Sequence, residues 1–174
     1  MAGASISVKI LDAEAVAALR QIERLMGDTT PVTRAIGVGL VEVVHTHFET
    51  ESDPQGKAWA PLEATYAANK RGAGILREAG MRGGLMGSIT SRASASGVEV
   101  GSNKVYAGVH QEGATITPVN GPFLVFRLGD RVVHARSVTI PARPFIGVGP
   151  HEERVILETI LDALDRAVAR AAHA

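Results

Sequence analysis

Apolar and polar residues alternate through Ile6, Ser7, Val8, Lys9 and Ile10, the period of two expected of a half-buried strand. The spacing then becomes helical. Val16, Leu19, Ile22, Leu25 and Met26 share one stripe, Asp12 stands at a capping position and Gly27 ends the run. Asp28, Thr29 and Pro31 form a second start signal, and Ile36, Leu40, Val43, Val44 and Phe48 fall on one side of a helix running to about Thr50. The segment SDPQGKAWAPL at 52–62 is broken by Pro54, Gly56 and Pro61 and reads as a loop around Trp59. A short helix is predicted from Glu63 to Lys70. The glycine-rich stretch 71–88 that follows reads as a mobile loop with a helical turn or two, since each interior glycine costs a helix about 1 kcal/mol.

From Ile89 the pattern is that of strands. ITSRA and VEVGS flank a turn at 94–97, and FLVFRL and RVVHA flank Gly129-Asp130, a glycine-first turn suited to a tight hairpin. SVTIP supplies another strand. Pro150 then opens a last helix, with Glu152 and Glu153 in the first turn, where the helix dipole favours acids, and an apolar stripe through Val155, Ile156, Ile160, Ala163, Leu164, Ala167 and Val168. No repeat or linker divides the chain. The expected fold is one α+β domain over 1–174, an antiparallel β-sheet packed against two N-terminal helices and a C-terminal helix.

Composition narrows the chemistry. With 174 residues, 45% hydrophobic and 21% charged, the chain is long enough for a core and is of globular type. It has no cysteine, which excludes disulfides, thiolate catalysis and thiolate metal sites. No apolar run reaches the ~20 residues that span a bilayer, and MAGASISVKI lacks the basic and apolar regions of a signal peptide, so a soluble, unsecreted protein is expected. Eighteen basic residues balance eighteen acidic ones. The balance is uneven along the chain: residues 50–150 carry eleven basic and seven acidic side chains, whereas both flanking segments are net acidic. A basic middle with acidic ends suits contact between copies or with a charged partner.

Candidate catalytic groups are sparse. His45 and His47, with Glu42 and Glu49 near them, invite a metal reading, but helical residues two apart point about 200° away from each other and cannot readily share an ion. The glycines at 72–74 lack the strand, helix and Lys-Ser/Thr pair of a phosphate loop. His110, Glu112 and His134 could form an acid–base set for a small hydrolase, with Ser88 or Ser102 as nucleophile, yet no nucleophile motif accompanies them. Trp59, Tyr106, Phe126 and Phe145 lie near basic residues but form no stacking series along one strand, which weakens a DNA-contacting adaptor. The expectation is no enzyme, no metal and no cofactor.

The order of the motifs is more informative than any one of them. PQGKAWAPLEATYAANK, ILREAG, LMGSI, VEVGSNKVYAGVHQEG and VTIPARPFIGV follow one another over about 54–147. The series resembles the phage virion morphogenesis family, the tail-completion proteins of contractile-tailed phages and Mu-like prophages. Ala79 replaces the family's usual threonine, and MRGG between Gly80 and Leu85 enlarges the glycine-rich loop. The resemblance implies a non-enzymatic virion protein at the head–tail junction, assembled in the host cytoplasm. It also implies a closed ring, of six copies on a six-fold tail, touching neck or connector proteins and the tail tube or terminator, with DNA passing through. The candidate interface or anchor positions are Trp59, Tyr106, His110, Arg143 and Phe145.

The IPARPF segment also has a reading of its own. Pro141 and Pro144 fix φ and remove two N–H donors, so the strand must stop and Arg143 is carried on a stiff backbone with little entropy left to lose. Such an arginine suits a carboxylate of a neighbouring copy, or the helix ends of its own domain. Phe145 is expected to bury, and Gly147 and Gly149 to let the chain turn into the last helix.

Overall fold

Asp28 and Pro31 start the helix around which the rest is built. The Asp28 carboxylate accepts from the Thr30 N–H at 2.9 Å, and Pro31 occupies the first turn, where no donor is needed. The computed structural model describes residues 8–9, 20, 24, 27–70, 72–77 and 84–172. The helix expected before Gly27 therefore lies outside the described residues apart from helical Arg20 and Arg24, as do residues 71 and 78–83 of the glycine-rich stretch.

The elements are β1 (Val8–Lys9), α1 (Thr30–Thr50), α2 (Ala64–Asn69), β2 (Ile89–Ser94), β3 (Gly97–Ser102), α3 (Ala107–Glu112), β4 (Ala114–Ile116), β5 (Leu124–Leu128), β6 (Arg131–Ala135), β7 (Val138–Ile140) and α4 (Pro150–Ala172). The class is α+β, as the sequence indicates, and among the described residues all strand pairing is antiparallel. Among the described residues the strands are divided among three small sheets: β1-β3-β2, β4-β7 and β5-β6. Both hairpins form at the predicted turns, with Ser94 opposite Gly97 and Leu128 opposite Arg131. The sequence pattern did not disclose α3 or β4, which are only six and three residues long.

α1 is buried on two sides. Val32, Ile36, Leu40, Val43, Val44 and Phe48 all fall in its interior face. Gly37 lies so close to β2 and β3 that a Cβ there would come 2.8 Å from Ser91 Oγ, and one on Gly39 would come 2.6 Å from Val155 of α4. The helix thus sits between the β1-β3-β2 sheet and α4. Most of the buried apolar residues form one cluster joining α1, Trp59, Ile75, Leu85, Phe145 and the inner face of α4. Ile75 and Leu85 are core residues although they lie in the glycine-rich stretch. The backbone N–H of Ile75 donates to Glu51 Oε1 at 2.8 Å, so this part of the stretch is tied to the end of α1.

Candidate functional site

Three of the motif segments, far apart in sequence, converge on one clasp beside the core. The first is the loop around Trp59. Trp59 is buried, stands edge-on to Phe48 with ring centroids 5.6 Å apart, and donates its Nε1–H to the Pro144 carbonyl at 2.8 Å. The second is α3, whose start follows Tyr106 and whose first residue, Ala107, is fully buried. The third is the stiff segment after β7.

α3 grips that third segment along its length. The Arg143 N–H donates to the His110 carbonyl at 2.7 Å. Gln111 Oε1 accepts from the Phe145 and Ile146 N–H groups at 3.0 and 3.2 Å, while its Nε2 donates to the Ile146 carbonyl at 2.6 Å. Gly113, with φ at +76°, passes so near that a Cβ would come 2.8 Å from the Ala142 nitrogen. The His-Gln-x-Gly spacing therefore has a physical reason: a carbonyl, a carboxamide and a bare backbone face residues 142–146 of one segment. Pro141 and Pro144 lack N–H groups, and the neighbouring donors of Arg143 and Phe145 are those that α3 satisfies.

Arg143 turns inward. It is 5% exposed, and its Nε and Nη2 donate to the carbonyls of Ala60 at 2.8 Å and Pro61 at 3.0 Å. Burial lowers its pKa below the usual arginine value, an effect that Tyr66 opposes. Of the two roles open to it, the geometry supplies one inside its own chain, with the acceptors being loop carbonyls and not helix ends. Phe145 is fully buried against Phe48, ring centroids 5.2 Å apart. Trp59, Arg143 and Phe145 are thus brought together. Tyr106 and His110 stand at the edge, rings edge-to-face at 5.9 Å, where they line an apolar cleft of about 740 Å³ between α2 and the β5-β6 hairpin.

No catalytic set is assembled among the candidates. His110 lines the cleft, but Glu112 and His134 do not; both are exposed, and the His134 ring stands against Phe123 at 6.2 Å. The hydroxyls of Ser88 and Ser102 are 2.6 Å apart, and Ser88 also donates to the Leu85 carbonyl. They staple the start of β2 to the end of β3. His45 donates to the Met86 carbonyl at 3.2 Å whereas His47 reaches Glu152, so the two rings go to different neighbours. Among the described residues no three His, Asp or Glu side chains are placed to hold a metal ion, and no helix is long and apolar enough to cross a membrane.

Sequence reasoning does not single out Gln111, and it places Glu152 only as a first-turn acid of the last helix. Glu152 is the third residue of α4, 1% exposed, with Oε2 accepting from the Gly149 N–H at 3.0 Å and Oε1 from His47 Nε2 at 2.6 Å. The first contact is half of a capping box. Burial pushes this carboxyl upward, but the His47 hydrogen bond and charge and the backbone N–H groups outweigh it and leave its pKa below the usual value. A histidine on the buried side of α1 was the signal available for Glu152. For Gln111 it was the place of the residue within the VHQEG motif.

Comparison with known proteins agrees with the motif order. The sequence pattern of the phage virion morphogenesis family matches residues 11–165. The chain is 28% identical over 158 residues to "Mu-like prophage FluMu G protein 2" of Haemophilus influenzae, covering 90% of this chain and 94% of that protein. It is 26% identical over 159 residues to "Putative capsid assembly protein G" of Escherichia phage Mu, covering 86% and 92%. No solved structure matches it.

Proposed function

The chain belongs to the phage virion morphogenesis family, and from that premise we propose that it is a non-enzymatic structural protein of the virion neck, a ring that caps the tail and joins it to the head. One observation carries this reading. The residues that define the motifs are consumed in holding the chain together: Trp59, Gln111, Arg143 and Phe145 bind backbone or fill the core. A scaffold of this kind suits a part that must keep its shape under load, and the name of the Mu relative, "Putative capsid assembly protein G", supports a role in building the particle. In this reading the ring has six copies on the tail axis, contacts a neck or connector protein on one side and the tail tube or terminator on the other, and lets DNA through. It needs no cofactor.

Electron microscopy of particles from a lysogen with the gene interrupted tests this. Separate DNA-filled heads and unjoined tails are expected, with joining restored by the protein supplied in trans. Normal joined particles, or gold-labelled protein away from the tail axis, would overturn the assignment.

A further inference from the structure

Two apolar surfaces remain exposed outside the clasp, and the charges beside them are opposite. On α4, Leu157, Leu161 and Val168 are 48, 58 and 59% exposed. With half-buried Leu164 they recur at intervals of four, three and four, a seam beside the Ile156, Ile160 and Ala167 face that packs inward. Glu158, Asp162 and Asp165 follow Leu157, Leu161 and Leu164 by one residue along the outer edge. Asp162 is paired with Arg166 of the same helix, which leaves Glu158 and Asp165, among the described residues, as the carboxylates of this edge outside any ion pair. On the β5-β6 hairpin, Val125 and Val132 are 61 and 55% exposed. They share the more exposed, outer face with Arg127 and His134, because Val125 is opposite His134 and Arg127 opposite Val132; Val125 and Arg127 also line the cleft beside α2. The hairpin tip lies by α2, where a Cβ on Gly129 would meet Asn69, while α4 packs on α1. These are two different surfaces of one molecule.

We propose that copies of this chain associate head to tail, the outer face of the β5-β6 hairpin of one copy packing on the Leu157–Leu161–Val168 seam of α4 of the next. The proposal rests on the ring reading above and names its interface. Different, mutually complementary patches are what a cyclic ring requires, whereas a two-fold contact uses one patch twice. A two-fold pairing of α4 with itself would also bring Glu158 and Asp165 of one copy near those of the other, and like charges across an interface disfavour it. The hairpin instead offers Arg127 to Glu158 or Asp165, with valines meeting leucines beneath. Arg143, bonded inside its own chain, takes no part.

The absence of cysteine makes the test direct. Full-length Val132→Cys and Leu161→Cys chains are prepared separately, mixed at high concentration and treated with a short bis-maleimide. A mixed dimer linking the two variants, with neither linking to itself, is expected. It should be lost in high salt and when the Val132→Cys chain also carries Arg127→Glu, and recovered when its partner carries Asp165→Lys. Dimers of Leu161→Cys alone would show symmetric α4 pairing and overturn the proposal, as would no link at all. A link within a chain carrying Leu19→Cys and Leu161→Cys would give the seam to the N-terminal segment and would overturn it too. None of these outcomes bears on where the protein sits in the particle, which the gold label reads separately.

Discussion

The carboxamide of Gln111 holds the backbone of Phe145 across 34 residues of sequence, its Oε1 accepting from the Phe145 N–H at 3.0 Å. The same oxygen takes the Ile146 N–H, and the amide nitrogen returns a bond to the Ile146 carbonyl. One side chain thereby satisfies three backbone groups of a segment that has no sheet partner there.

Gln111→Leu is expected to cost on the order of 3 kcal/mol, because it leaves part-buried donors and an acceptor unpaired at about 1–3 kcal/mol each, less what relaxation recovers. Gln111→Glu keeps the acceptor but sets a carboxylate oxygen against the Ile146 carbonyl, so it should be least costly at acid pH, where the protonated acid can donate as the amide does. Urea unfolding of both variants against the natural chain checks this, and midpoints equal to that of the natural chain would contradict the clasp.

Trp59 combines packing with a hydrogen bond, and two substitutions separate these contributions. Trp59→Ala should cost roughly 3–5 kcal/mol through the cavity left beside Phe48. Trp59→Phe retains most of the packing and strands the Pro144 carbonyl, at about 1 kcal/mol. Thermal unfolding should rank them in that order.

Glu152 gives the protein an acid limit. Its pKa in the folded chain lies below the usual value, so the unfolded chain binds its proton first as pH falls. The stabilisation is fully present above the unfolded value of about 4.3 and disappears as pH drops through the lower folded value. Glu152→Gln should therefore be less stable than the natural chain at pH 7, by on the order of 1.5–3 kcal/mol, with the gap closing below about pH 4. A gap unchanged from pH 7 to pH 3 would contradict the assignment of the shift to this carboxyl.

Gly149 allows the loop at Pro54 to touch the start of α4, since a Cβ there would overlap the Pro54 carbonyl. Gly97 faces open space and has no positive φ. Gly149→Ala should destabilise the protein by several-fold more than Gly97→Ala, and comparable unfolding midpoints for the two would show that the loop moves aside freely.

Arg143→Lys keeps the charge but loses the fork that reaches Ala60 and Pro61 together. The expected result is lower stability with cross-linking between folded copies unchanged. Loss of cross-linking at unchanged stability would return Arg143 to the surface role that the stiff segment alone suggested.

The sequence by itself determined the features that depend on near neighbours. The bounds of α1 followed from Asp28, Pro31 and the spacing of Ile36, Leu40 and Val44; the Gly129 turn fixed the β5-β6 register; and five motifs in order identified the family. Periodicity and turn chemistry are local, so a short window contains them. Only the tertiary structure decided which distant segments meet. That His47 reaches Glu152 across 105 residues, that β4 pairs with β7, that Arg143 binds the loop after Trp59, and that the strands divide into three sheets all depend on the path of the chain. No window of sequence contains that path, because a buried polar group is satisfied by whichever backbone the fold brings to it.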